Sequence, residues 1–140
     1  MNPDQFEIIR AFSTGLNVEL TINQISKLIK KSYAFTNKYT HDLIKKDVLK
    51  TKVIGSAILC SLNFDNNATI AALVYNSIKD SKGISKNFKA DIVISYNGKL
   101  MKFQRGSDKI ITTIKKLDFS KIKIIKGHEL YWRLVAEIVK

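Results

Sequence analysis

Side chains that could bind a polyanion are concentrated between residues 27 and 52. This stretch contains eight lysines and only two acidic residues, Asp42 and Asp47, which gives a local net charge of +6. A lysine ammonium group is a point charge suited to phosphate oxygens, and the amide of Asn37 in the same stretch can donate and accept hydrogen bonds. The chemistry indicated is noncovalent contact with a charged, hydrogen-bonding partner.

The charge of the whole chain supports the same interpretation. Twenty-four Lys and Arg stand against twelve Asp and Glu, a formal net charge of +12, and residues 81–140 carry +9 of it. An excess of this size favours nucleic acid or an acidic membrane surface as the partner. A genome that uses Lys and Ile freely would explain the composition, but it would not explain the clustering.

Composition also narrows the setting. The chain of 140 residues is 45% hydrophobic, so it can bury a core. No apolar run approaches the ~20 residues that span a bilayer, so we expect no membrane span. The acidic N-terminus does not resemble a secretion signal, and Cys60 has no second cysteine to pair with, so we expect a cytoplasmic protein. No Walker loop, paired Cys or His-x-x-x-His motif occurs, so we expect no enzymatic activity, no cofactor and no metal.

Three helices are predicted in the first half of the chain. Asn2 can cap the first helix, and Thr21 with Gln24 forms a capping box for the second. The spacing of apolar residues in the second helix predicts that one face is buried, comprising Ile22, Ile25, Leu28 and Ile29.

The apolar pattern breaks around Ser32 and resumes in a third helix at about residues 34–46. Steps of four residues predict that Phe35, Tyr39 and Leu43 face the core.

A β-hairpin is predicted after the third helix. Residues 48–54 and 57–64 are rich in β-formers, and Gly55-Ser56 between them indicates a tight turn. A fourth helix capped by Asn66 or Asn67 follows, with apolar residues on more than one face, which is typical of a helix buried on two sides.

This order of elements resembles the winged helix-turn-helix domain of bacterial and archaeal transcription regulators. The resemblance covers about residues 4–80, and its most specific part is TINQISKLIKKSYAFTNKYTHDLIKKDVLKTKVIGSAILCSLN. That family usually has glycine just before the wing strand, where this chain has Asp47. Asp tolerates the left-handed backbone conformation better than most residues, so the turn is still expected.

The resemblance implies that the helix at residues 34–46 enters the DNA major groove and that the hairpin at residues 48–64 is the wing on the DNA backbone. Asn37 could then read adenine, and Lys38 could contact guanine or phosphate. Thr36 or Thr40 would read bases if the helix were rotated. The complete set of candidate DNA-binding residues is Tyr33, Thr36, Asn37, Lys38, Thr40, His41, Lys45, Lys50 and Lys52.

The pattern in the second half of the sequence predicts a smaller α/β unit. Together with the N-terminal domain, this gives an expected fold class of α+β for the whole chain. Residues 1–80 form the first domain in this division, residues 81–89 a linker or loop, and residues 90–140 the small unit. Its predicted order is strand, strand, helix, strand, helix, with an Asn97-Gly98 hairpin, a helix capped by Ser107 and a crossover to the last strand. Trp132 in the final helix is a candidate interface anchor.

An enzymatic alternative rests on a faint similarity to archaeal proteins that join a winged helix to a minimal nucleotidyltransferase domain. That chemistry needs Gly-Ser followed by two carboxylates one residue apart on a strand. Gly55-Ser56 and Asp65 fit the pattern, but the second carboxylate position is Asn67. Clustered oxygen ligands for a divalent metal are therefore missing, and this is the weakest of the hypotheses.

Two function classes stay open. The first is a DNA-binding transcription regulator, acting on double-stranded DNA as a homodimer. The second is a non-regulatory winged-helix module that binds RNA or a protein partner. The sequence does not indicate whether a small-molecule effector is bound.

Overall fold

The computed structural model describes residues 1–84 and 87–140, and it combines six helices with two small antiparallel sheets in an α+β fold. The elements of the N-terminal part are α1 (Pro3–Ala11), α2 (Ile22–Ile29), α3 (Tyr33–Lys45), β1 (Leu49–Ile54), β2 (Ala57–Leu62) and α4 (Asn67–Asp80). Those of the C-terminal part are β3 (Ile92–Tyr96), β4 (Lys99–Phe103), α5 (Asp108–Lys116), a 3-10 turn (Phe119–Lys121), β5 (Ile122–Lys126) and α6 (His128–Val139).

The predicted helix starts are confirmed in the N-terminal part. The Asn2 side chain accepts a hydrogen bond from the backbone N–H of Gln5, and the Gln5 side chain accepts one from the N–H of Asn2. Thr21 and Gln24 form the same reciprocal box at α2, and Asn66 caps α4. These side chains satisfy backbone donors that a helix start leaves without intrahelical partners.

The connection between α2 and α3 is three residues long. Lys30 ends α2 in the left-handed conformation with φ of 58°, and the Ser32 hydroxyl accepts a hydrogen bond from the N–H of Phe35 at the start of α3. The break predicted around Ser32 is therefore confirmed. The prediction for Leu28 is wrong, since this residue is 58% exposed while Ile22 and Ile25 are buried.

A tight turn joins α3 to the β1–β2 hairpin. Asp47 adopts the left-handed conformation with φ of 59°, and its carbonyl accepts hydrogen bonds from the side-chain amides of Asn63 and Asn66. The predicted hairpin is confirmed with Gly55 at its turn. Leu20 adds a single antiparallel bridge to Cys60 on the outer side of β2.

The C-terminal sheet has the order β4-β3-β5, and both outer strands run antiparallel to β3. The crossover through α5 therefore joins two strands that are parallel to each other but separated by β3. The expected α/β unit is corrected accordingly: the helix crosses over, but no parallel strands are paired. Ser107 occupies the position before α5 without capping it through its side chain.

One hydrophobic cluster joins the two parts of the chain. It includes Ile8 of α1, Leu73 of α4, Ile94 of β3 and Trp132 of α6. Trp132 is buried and its indole N–H donates to the Ser77 hydroxyl at 3.2 Å, so it packs inside the chain and the prediction of an interface anchor is wrong. The predicted linker includes residues 85 and 86, which lie outside the described residues, whereas Ser81 before them is fully buried.

No helix in the described part of the chain has the length and apolar character needed to cross a membrane.

Candidate nucleic-acid interface

The inner face of α3 is rotated relative to the sequence-based expectation. Thr36, Thr40 and Leu43 are completely buried, whereas Phe35 and Tyr39 are half-buried at the margin of this face. Both threonines were candidate DNA-binding residues, and that assignment is wrong for their side chains, because full burial keeps them from any external partner. Leu43 lies where it was predicted.

The outer face of α3 brings together the other candidates on this helix. Tyr33, Lys38, His41 and Lys45 are exposed, and Asn37 is half-buried beside them. The steps of three and four residues between most of these positions keep the side chains on one side of the helix. This outer face presents one amide, one phenol, one imidazole and two ammonium groups to the exterior.

The cations of the outer face are largely without acidic neighbours. Among the described residues, no carboxylate lies within ion-pair distance of Lys38, Lys45 or Lys50. The Lys38 ammonium lies 5.5 Å from the centre of the Tyr39 ring, an arrangement that favours a cation over an aromatic face. These lysines are therefore free to pair with an external anion.

The single acidic residue within α3 is engaged inside the protein. Asp42 accepts a hydrogen bond from the side chain of Gln5 at 2.7 Å and pairs with Lys46 at 3.0 Å. The Gln5 hydrogen bond and then Lys46 lower the pKa of the Asp42 carboxyl. Gln5 thus ties α1 to α3 and, with Lys46, holds the Asp42 carboxylate.

The β1–β2 hairpin, which follows α3 in the chain, carries two further candidate lysines. Lys50 and Lys52 are two residues apart on β1, so they project from the same side of the hairpin, and both are exposed. Lys52 pairs with Glu19 at 2.9 Å, whereas Lys50 has no such partner among the described residues. Of the two, Lys50 is the cation that an external phosphate could approach without breaking an internal ion pair.

The hairpin tip carries an apolar patch that sequence reasoning missed. Val53 is 69% exposed and shares one face of the hairpin with its cross-strand partner Ile58, which is also exposed, whereas the exposed Ile54 lies on the opposite face. The signal was present in the sequence, since a run of β-branched residues on a two-stranded ribbon has no second sheet to cover it.

The residues of the enzymatic alternative serve other roles. Gly55 and Ser56 form the hairpin turn, and the Asp65 carboxylate pairs with the Lys140 side chain at 3.1 Å. Within residues 1–84 and 87–140, no group of three or more His, Cys, Asp or Glu side chains is arranged to hold a metal ion. Cys60 is buried, and burial raises the pKa of its thiol.

No protein-family model, curated protein or solved structure gives a significant match to this chain.

Proposed function

We propose that this protein is a DNA-binding transcription regulator with an N-terminal winged helix-turn-helix domain. In this proposal, α3 enters the major groove, and the β1–β2 hairpin is the wing that contacts the DNA backbone. The observation that carries it is the outer face of α3, where Asn37 lies with Lys38 and Lys45, neither of which has a carboxylate within ion-pair distance among the described residues. Phosphate contacts position such a protein on the duplex, and base-edge contacts supply sequence preference.

The short α2–α3 connection supports this assignment. Two helices joined by about three residues cross steeply, so the second projects from the protein while the first braces it. The left-handed Lys30 and the Ser32 cap set the direction of α3 at this turn. The Thr36 and Thr40 side chains are left out of the interface because they are buried.

Paired variants test the two kinds of contact. We expect Lys50→Ala to weaken binding to all duplexes alike and to reduce the magnitude of the salt slope by about one unit. We expect Asn37→Ala to leave the salt slope unchanged and to reduce preference at one base position, by about 1–3 kcal/mol for a bidentate contact. A duplex selection on the wild type first identifies the preferred site, and salt titrations on that site and on random DNA then compare the variants.

Lys109→Ala is the matched control, because Lys109 is an exposed lysine on α5, outside the outer face of α3 and the hairpin. If folded Lys50→Ala and Asn37→Ala variants both bind every duplex as tightly as the wild type and the Lys109→Ala control do, the proposed interface is wrong.

A second candidate function is a non-regulatory module that binds RNA or a protein partner. The exposed apolar residues at the hairpin tip favour a protein partner, because contiguous apolar surface marks interaction sites. The two functions differ in sequence preference. A regulator is expected to prefer one duplex over random DNA by ~10³ or more, whereas absence of preference together with strong salt dependence would favour the module.

We further propose that the protein acts as a homodimer in the cytoplasm. The fourth helix supports pairing, since Tyr75 and Ile78 are 51% and 44% exposed on the side of α4 away from the core. A dimer would bring two copies of α3 to successive major grooves about 34 Å apart. Light scattering at micromolar concentration is expected to give twice the mass of the chain, and a monomer both with and without duplex would contradict this.

A further inference from the structure

A cleft of about 400 Å³ lies at the base of the β1–β2 hairpin. Its walls come from the segment at residues 16–19, from both strands of the hairpin and from Val139 at the end of α6. Pockets that bind small molecules usually occupy about 300–1,000 Å³ and combine apolar walls with a few polar groups that fix the orientation of the ligand. The cleft therefore has room for one small ligand.

Apolar side chains that remain partly open to solvent form much of the lining. Four of them are half-buried, and they are Leu16, Val18, Phe64 and Val139. Each of these side chains still offers surface that a ligand could cover, and removing apolar surface from water is the main driving force for binding an apolar ligand. Three of the four are aliphatic, so the lining suits an aliphatic chain.

Three charged side chains also line the cleft, and they leave one positive charge without a counterpart. Glu19 pairs with Lys52 at 2.9 Å, so these two charges largely neutralise each other. Lys50 has no carboxylate within ion-pair distance among the described residues. The cleft therefore favours an anionic head group over a neutral or cationic one.

A hydroxyl group lies next to this unpaired lysine. Ser61 also lines the cleft, and it is the cross-strand partner of Lys50 in the register of the hairpin. Directly opposite residues of an antiparallel pair project from the same face, with Cβ atoms about 4.5–5.5 Å apart. One ammonium group and one hydroxyl group are thus placed side by side, and both can donate hydrogen bonds to the two oxygens of a carboxylate.

We propose that this cleft binds an aliphatic monocarboxylate of about 6–10 carbon atoms, a size that suits the volume of the cleft. The aliphatic chain packs against the half-buried apolar side chains. The carboxylate pairs with the Lys50 ammonium and accepts a hydrogen bond from the Ser61 hydroxyl. The site shares Lys50 with the proposed DNA interface, but it stands whether or not the chain binds DNA.

Calorimetric titrations of the whole chain test the head group with octanoate, 1-octanol and octylamine, which share one chain length. Octanoate is expected to bind with a Kd below about 1 mM. The neutral alcohol is expected to bind at least about tenfold more weakly, because it lacks the charge that Lys50 recognises. Octylamine is cationic, so it is expected to bind more weakly than octanoate. Tighter binding of the amine would place the head group at Glu19 and overturn the proposal.

Two charge variants with matched controls locate the head group. Lys50→Met keeps an unbranched side chain and is expected to weaken octanoate binding about tenfold or more, while Lys109→Met on α5 leaves the Kd unchanged. Glu19→Gln releases Lys52 from its ion pair, so it is expected to tighten octanoate binding about threefold or more. Its control is Glu129→Gln, which removes an exposed carboxylate that is likewise paired but lies outside the cleft.

A third variant locates the aliphatic chain. Val139→Ser removes apolar lining at the end of α6, and it is expected to weaken octanoate and 1-octanol alike by about threefold or more. Val53→Ser is the matched control, because this valine is exposed at the hairpin tip and does not line the cleft.

Melting curves establish that each variant is folded before its Kd is compared, and loss of structure could not produce the gain expected for Glu19→Gln. The proposal is overturned if octanoate does not bind the wild type saturably. It is also overturned if folded Lys50→Met and Glu19→Gln variants both bind octanoate as the wild type does.

Discussion

Thr36 and Thr40 are both fully buried on the inner face of α3, but only one of their hydroxyls has a partner. The Thr36 hydroxyl donates to the Ser32 carbonyl at 2.9 Å, whereas the Thr40 hydroxyl forms no hydrogen bond with any described residue. A buried polar group without a partner loses its hydrogen bonds to water on folding and regains nothing. The two residues therefore contribute oppositely to stability.

Replacing each threonine by valine, which has nearly the same shape, separates these contributions. We expect Thr40→Val to raise the free energy of unfolding by about 1 kcal/mol, and Thr36→Val to lower it by about 1 kcal/mol. Urea denaturation of both variants measures the difference. Equal effects of the same sign would mean that the Thr40 hydroxyl is satisfied in solution.

At the scale of an element, the turn between α3 and β1 depends on the backbone of Asp47. Its φ of 59° lies in the left-handed region, where a side chain beyond glycine is strained. We expect Asp47→Ala to be less stable than Asp47→Gly by about 1 kcal/mol, because the Cβ of alanine is strained in the left-handed region and glycine has none. Thermal or urea unfolding of the two variants measures the gap.

The same pair of substitutions at His41 provides the control. His41 is exposed in the middle of α3, where alanine favours the helix and glycine costs about 1 kcal/mol. The order of stability is therefore expected to reverse at this position. If glycine is the less stable replacement at both sites, Asp47 does not hold the left-handed conformation in solution.

Local patterns allowed most elements of this chain to be predicted from sequence. The capping boxes at Asn2 and Thr21 and the turns at Gly55 and Asn97-Gly98 depend on neighbouring residues alone, and each prediction of a helix start or a hairpin made from them agrees with the structure. The prediction that Ser107 caps α5 is wrong for a different reason. Serine can cap a helix, but the Ser107 side chain forms no capping hydrogen bond.

The rotation of α3 could not be predicted in the same way. Phe35 and Tyr39 are more apolar than Thr36 and Thr40. The pattern of apolar residues therefore predicted that the side of α3 carrying Phe35 and Tyr39 faces the core. In the structure, the two threonines lie on the fully buried face, and the aromatic residues lie at its margin, where Phe35 and Tyr39 contact each other edge to face. The exposed Leu28 and the separation of β4 from β5 likewise depend on contacts distant in sequence.

At the scale of the whole molecule, the shared hydrophobic cluster predicts that the two parts unfold together. Ile8 in α1 is fully buried, and its replacement by alanine is expected to lower the free energy of unfolding by about 2–5 kcal/mol. Trp132 belongs to the same cluster. In the Ile8→Ala variant, the denaturant midpoint measured by Trp132 fluorescence is therefore expected to fall by as much as the midpoint measured by far-UV circular dichroism.

Leu100→Ala is the control for this prediction, because Leu100 is exposed on β4 and its loss is expected to leave both transitions in place. A Trp132 transition that does not move in the Ile8 variant, together with a circular dichroism curve that splits in two, would show that the parts unfold independently.

The order β4-β3-β5 leaves the outer sides of β4 and β5 as the two edges of the C-terminal sheet. Each edge strand carries two lysines, Lys99 and Lys102 on β4 and Lys123 and Lys126 on β5. If two copies joined these strands edge to edge, ammonium groups would be forced together along the new ladder, which is how many natural sheets resist aggregation. We therefore expect part of the positive charge of this chain to disfavour edge-to-edge pairing of two copies through this sheet.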